Sequence, residues 1–86
     1  MEFVHYVAPS YKQDELFAKA NEVYGEGAVF PYANGFFVAT DDPTSEVSTK
    51  IGIRDGSVGS GVVLRVTTYN GRAPADLWEW LAKGLA

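Results

Sequence analysis

Three side chains in the first half of the sequence could take part in metal binding or catalysis. Asp41 and Asp42 are adjacent, and carboxylate oxygens are the ligands that Mg²⁺ prefers. His5 is the only histidine, which excludes multi-histidine metal sites and acid–base chemistry by two histidines. These residues would permit a metal-dependent nuclease, our alternative hypothesis. A packed histidine and a helix cap formed by the acids before Pro43 are simpler explanations, so we predict no catalytic residue, no metal and no cofactor.

Other catalytic chemistries lack their sequence signals. The glycines of Gly59-Ser60-Gly61 precede a predicted strand and no lysine follows them, whereas a phosphate-binding loop follows a strand and ends in Gly-Lys-Ser/Thr. A Ser-His-Asp triad has no Gly-x-Ser-x-Gly elbow to present a nucleophile. The chain has no cysteine, which excludes thiolate chemistry and fits a reducing compartment. We therefore expect residues 53–61 to be a turn-rich connection.

Size and charge restrict the classes of function. A chain of 86 residues, 47% hydrophobic and 21% charged, is typical of one globular domain, here residues 1–86. Its net charge is −4, and no cluster of Lys and Arg is present, which argues against binding of free nucleic acid. No signal sequence and no apolar run of about 18 residues is visible. We therefore expect a cytoplasmic protein without a membrane partner.

The apolar periodicity predicts strands and helices in alternation. The predicted elements are a strand from Phe3 to Ala8 ended by Pro9, a helix from a capping box at Ser10 to Gln13 as far as Gly25, a hairpin within Ala28 to Thr40, a helix from Pro43 to about Ile51, a strand from Val62 to Tyr69, and a terminal helix from Pro74 that turns Leu77, Trp78, Leu81, Ala82 and Leu85 inward. This βαββαβ order predicts a ferredoxin-like α+β fold, an antiparallel sheet with helices on one face plus a short C-terminal helix.

Asn34-Gly35 is the strongest hairpin signal in the chain. A two-residue turn at these positions places Ala33 opposite Phe36, Tyr32 opposite Phe37 and Phe30 opposite Ala39. One face of the hairpin then carries Phe30, Tyr32 and Phe37, and the other carries Val29, Pro31, Ala33, Phe36 and Val38. No charge interrupts either face. Because the first two helices can cover only one face, the second must meet the terminal helix, a ligand or another copy.

Trp78 and Trp80 provide a second indication of a contact surface. Two residues apart on a helix, they point about 200° away from each other, so one packed face cannot bury both. Tryptophan is enriched at contact hot spots. The predicted interface residues are Val29, Pro31, Phe36, Val38, Trp78 and Trp80.

Several local features resemble a known family. The aromatic hairpin is followed by Thr40-Asp41, and the last strand leads to Trp78-Glu79-Trp80-Leu81, a W-x-x-L ending. In this pattern, which spans nearly the whole chain, the protein resembles the small ferredoxin-like SinR-like proteins, distant relatives of the CRISPR-associated integration subunit and of virulence-associated protein D. The resemblance implies a ferredoxin-like fold, a tendency to homodimerise and a link to CRISPR or toxin–antitoxin systems.

The nuclease-like relatives carry a metal-binding aspartate at the end of the first strand. Here that strand ends in Val7-Ala8-Pro9, so no catalytic residue is carried over. We therefore expect a non-enzymatic protein-interaction module, a homodimer or a binder and inhibitor of a larger complex, acting through the sheet face and the C-terminal helix. A metal-dependent nuclease of the toxin or CRISPR-associated type is the alternative.

Overall fold

The computed structural model describes residues 2–68, 70–72 and 75–85. Within them, a four-stranded sheet has the order β2-β3-β1-β4, and all neighbouring strands are antiparallel. The elements are β1 (Phe3–Tyr11), α1 (Gln13–Tyr24), a 3-10 turn (Glu26–Ala28), β2 (Val29–Tyr32), β3 (Gly35–Thr40), α2 (Thr44–Lys50), β4 (Ser60–Val66) and α3 (Ala75–Leu85). Strand β4 begins two residues before the predicted Val62 and ends at Val66, so the predicted continuation through Thr67 and Thr68 is wrong. Tyr69, the predicted helix start at Pro74 and the side chain of Leu85 lie outside the described residues.

Strand β1 is longer than the sequence predicts, because its two neighbours pair with it over different lengths. Pairing with β3 ends at Val7↔Phe36, whereas pairing with β4 continues to Tyr11↔Ser60. Pro9 therefore lies beyond the end of β3, where a strand residue without an N–H is tolerated. The predicted strand end at Pro9 is wrong for this reason.

The predicted capping box at the start of α1 is also wrong. Ser10 belongs to β1, and its hydroxyl oxygen lies 3.1 Å from that of Ser60. The helix begins at Gln13, and its N-cap residue Lys12 has φ 63° and makes no side-chain cap. A single residue in the left-handed region turns the chain directly from strand into helix, so Ser10 is too far back to serve as a cap.

The turn of the hairpin is formed by Ala33 and Asn34, one residue earlier than the predicted Asn34 and Gly35. Tyr32 pairs with Gly35 and Phe30 with Phe37, and Ala33 supplies the positive φ of 56°. The predicted pairing is therefore displaced by two residues, which leaves the strand side chains on their predicted faces and moves Ala33 from its face into the turn. Gly35 is needed in the strand, because a Cβ there would overlap the Val7 carbonyl oxygen and lie 2.6 Å from the Tyr6 hydroxyl.

The sheet has an apolar core on each side. Helices α1 and α2 cover the first core, whose buried residues are Val7, Leu16, Ala20, Val29, Phe36, Val38, Val47 and Ile51. Helix α3 covers the second and smaller core, in which the buried residues are Val4, Leu77 and Leu81. The partly buried residues around the second core are Phe30, Phe37, Ala39, Val66, Trp78 and Trp80. The terminal helix therefore covers part of the face that the first two helices leave open.

Candidate functional site

A cluster of polar side chains joins four segments of the chain at one end of the sheet. Asp42, just after β3, is its centre. Its Oδ2 atom accepts hydrogen bonds from the Tyr24 hydroxyl at 3.0 Å and from the Lys50 ammonium at 2.7 Å. Tyr24 ends α1 and Lys50 ends α2, so one carboxylate ties both helices to the end of the sheet.

His5 connects the same cluster to β1 and is fully buried. Its Nε2 atom lies 3.1 Å from the backbone carbonyl oxygen of Asp42. Because a carbonyl oxygen can only accept, Nε2 carries the proton. The Nδ1 atom then accepts from the Thr44 hydroxyl, 3.4 Å away. Both ring nitrogens are thus occupied by partners within the chain.

The environment sets the charge of each group in the cluster. The hydrogen bond from Lys50 lowers the pKa of Asp42, and the same bond raises the pKa of Lys50. Burial, followed by the hydrogen bond to Asp42, raises the pKa of Tyr24. Burial lowers the pKa of His5, and the nearby positive charge of Arg65 acts in the same direction. At neutral pH the cluster therefore contains one ion pair, a neutral tyrosine and a neutral histidine.

The geometry gives these residues a structural role. Asp42 is occupied by Tyr24 and Lys50, and the ring nitrogens of His5 contact protein atoms. Among the described residues, no group of three or more Asp, Glu and His side chains is placed to hold a metal ion. The predicted acid cap is wrong, since Pro43 itself is the N-cap of α2 and no side chain caps that helix. Asp41 is exposed.

The buried histidine leads to a pH-dependent stability. We expect the free energy of unfolding to fall as the pH is lowered from about 7.5 to about 5. The pKa of His5 in the folded chain lies below its ordinary 6.5, so the unfolded chain binds a proton first. The stabilisation that neutral His5 provides is complete at pH values above the pKa of His5 in the unfolded chain. It is lost as the pH falls through the lower pKa of His5 in the folded chain. Urea unfolding at a series of pH values measures it.

The variant His5→Gln is the control for this prediction. Its side chain does not titrate, so the loss of stability over the same pH range should be smaller than in the unmodified chain. An equal loss in both proteins would assign the effect to other groups. A titration of the His5 ring followed by NMR gives the pKa directly.

Trp80 attaches α3 to the second face of the sheet. Its Nε1–H group donates a hydrogen bond to the Gly27 carbonyl oxygen at 3.1 Å. Its ring lies 5.7 Å from the Phe30 ring and 6.1 Å from the Phe37 ring, measured between centroids. Trp78 also packs, half-buried, against this core. Trp80 therefore contacts the chain's own sheet, Trp78 packs against the second core, and neither is fully exposed.

Helix α3 leaves the other end of this face open. We call the uncovered residues the open strip: Tyr6, Ala8, Tyr32, Val62 and Leu64. The exposed fractions are 37% for Tyr32, 55% for Val62 and 51% for Leu64. The Tyr6 hydroxyl donates to the Tyr32 carbonyl oxygen at 3.0 Å, so this ring lies across Gly35. None of the strip residues is charged.

Three of the predicted interface residues belong to the first core. Val29, Phe36 and Val38 are 5%, 1% and 0% exposed. Their face is the one that α1 and α2 cover, so within the folded chain they are core residues and not a contact surface. Pro31 is exposed on β2. A role at an interface stays a prediction for Pro31 and the two tryptophans.

Comparison with known protein families, with curated proteins and with solved structures gives no match. The function is therefore argued from the geometry of this chain. Among the described residues, no helix combines the length and apolar character needed to cross a bilayer.

Sequence reasoning missed two groups of residues. Tyr24, Thr44 and Lys50 carry no local signal for the polar cluster, because only the folded chain brings them to Asp42. Val62 and Leu64 did carry a signal, since they alternate with Val63 and share one face of a predicted strand. That alternation places them on the face where α3 docks.

Proposed function

We propose that the chain is a non-enzymatic protein-interaction module with a ferredoxin-like fold, and that it acts as a homodimer. The element order βαββαβ, followed by a terminal helix, supports this fold assignment. So does the antiparallel sheet with the order β2-β3-β1-β4. Membership of the SinR-like family, a cytoplasmic location and the absence of nucleic-acid binding stay predictions from the sequence.

The open strip is the observation that carries this proposal. Contiguous apolar surface without charge marks interaction sites on small soluble proteins. Full burial of a Val or Leu side chain is worth about 1.5–3 kcal/mol, and Val62 and Leu64 are about half exposed. Each therefore has roughly half of that free energy to gain when a partner covers it.

The polar cluster supports the non-enzymatic part of the proposal. Its side chains bind one another across four segments of the chain and hold α1 and α2 against the sheet. Asp41, Asp42 and His5, the residues of the nuclease alternative, do not converge on one point. Asp41 is exposed, His5 is buried and Asp42 is bonded to Lys50.

Sedimentation velocity over a range of concentrations around the micromolar level tests the homodimer. We expect a species of twice the 9.3 kDa chain mass to dominate at the upper end of the range. The reason is that contact with a second copy removes part of the exposed apolar surface of Val62 and Leu64 from water. A 9.3 kDa species at every concentration would overturn the homodimer. A partner of different sequence would then be required for an interaction module.

A further inference from the structure

The two edge strands of the sheet differ in how well they are protected against pairing. β2 has four residues, and one of them is Pro31, which has no N–H to donate. Prolines and short edge strands block the addition of another strand. β4 has seven residues and no proline. In the described part of the chain, no backbone hydrogen bond outside the helices and the sheet uses residues 60–66.

Arg65 is the single charged residue of β4, and its side chain does not extend from the outer edge of the sheet. Its guanidinium lies 3.8 Å from the centre of the Phe3 ring. Phe3 is on β1, so the charge is drawn inward across the sheet. An edge strand normally uses such a charge to prevent pairing with another chain. The outer edge of β4 therefore carries neither a proline nor a charged side chain that extends away from the sheet.

The sequence of β4 is compatible with pairing to a second copy of itself. In an antiparallel pair related by a two-fold axis, one residue faces its own copy. Centring the pair on Val63 is the one register that uses all seven residues, Ser60–Val66. Val62 then lies opposite Leu64 of the second copy. Arg65 lies opposite Gly61 of the second copy, so no like charges meet.

We propose that two copies of the chain join through their β4 strands, antiparallel and centred on Val63, to form one continuous eight-stranded sheet. This inference rests on the proposed homodimer and names its contact. Val62 and Leu64 lie on the same face of the sheet as α3, so the pairing places the two open strips side by side. Val62 of each copy then packs against Leu64 of the other, and each covers part of the surface that the other exposes.

The first test compares Leu64→Lys with Val23→Lys in sedimentation experiments. Val23 is 38% exposed on α1, so it offers the same kind of substitution away from β4. We expect Leu64→Lys to raise the dissociation constant of the dimer by at least about tenfold, because a charge replaces each apolar cross-strand contact. Val23→Lys should change it by less than about twofold. Circular dichroism and thermal unfolding verify that both variants fold.

The second test measures the register by cross-linking and does not depend on the charged variants. The chain has no cysteine, so Val62→Cys and Leu64→Cys each introduce a single thiol. Residues directly opposite each other on antiparallel strands are close enough for a disulfide. In an oxidised equimolar mixture of the two variants, we expect the mixed 62–64 disulfide to exceed the half of all disulfides that random pairing would give.

The outcomes separate the two proposals. A dimer that resists Leu64→Lys and gives no excess of the mixed disulfide overturns the β4 contact and leaves the homodimer standing. A monomer at every concentration overturns both. A dimer weakened by Leu64→Lys that cross-links preferentially between positions 62 and 64 supports both.

Discussion

Gly35→Ala should lower the free energy of unfolding by about 3 kcal/mol or more. A Cβ at this position would overlap the Val7 carbonyl oxygen and lie 2.6 Å from the Tyr6 hydroxyl. Val7 and Tyr6 are on the central strand β1, so relief requires β3 to move away from β1. Such a movement would disturb the cores on both sides of the sheet. Urea denaturation curves measure the change.

Gly27→Ala is the matched control. A Cβ at Gly27 would meet no atom within 4 Å, and its φ lies outside the left-handed region. Replacing such a glycine reduces the conformational entropy of the unfolded chain and stabilises by up to about 1 kcal/mol. The sign of the effect should therefore differ between the two substitutions. Equal effects would contradict the close approach of β3 to β1.

Leu81→Ala should lower the free energy of unfolding by about 3 kcal/mol. Leu81 is 1% exposed and is one of three buried residues in the second core. The substitution removes buried apolar volume from this core and leaves a cavity. The effect should concentrate on α3, because this helix meets the sheet through Leu77, Leu81 and the tryptophans.

The intrinsic tryptophan fluorescence of the chain measures the loosening of α3. Both of its tryptophans are on α3, so their emission should shift to longer wavelength in Leu81→Ala as the rings gain water contact. Glu79→Ala, at an exposed position of the same helix, should leave the emission wavelength unchanged. It should change the free energy of unfolding by no more than about 0.5 kcal/mol. Unchanged emission in Leu81→Ala would contradict the docking of α3 through this core.

Local patterns predicted the elements better than the contacts between them. The alternation of apolar residues gave the four strands, and the stripe containing Leu16 and Ala20 gave α1. The hairpin faces were correct although its register was not, since a two-residue displacement preserves the alternation. The position of the turn depends on the approach of Gly35 to β1, a contact that no local sequence window contains.

The candidate site was predicted less well for the same physical reason. Periodicity shows that a strand has two apolar faces but not which face the first two helices cover. Val29, Phe36 and Val38 were therefore assigned to an interface, whereas α1 and α2 bury them. The adjacent carboxylates of Asp41 and Asp42 made Asp42 a candidate site residue. Its partners Tyr24 and Lys50 are 18 and 8 residues away along the chain.

The two cores of this sheet become complete at different times during synthesis. The buried residues of the first core end at Ile51, whereas the second core needs Leu77 and Leu81. A chain synthesised only as far as Val66 would therefore leave Val4, Phe30 and Phe37 without the cover of α3. Until α3 is available, we expect this apolar face of the sheet to need protection from other chains.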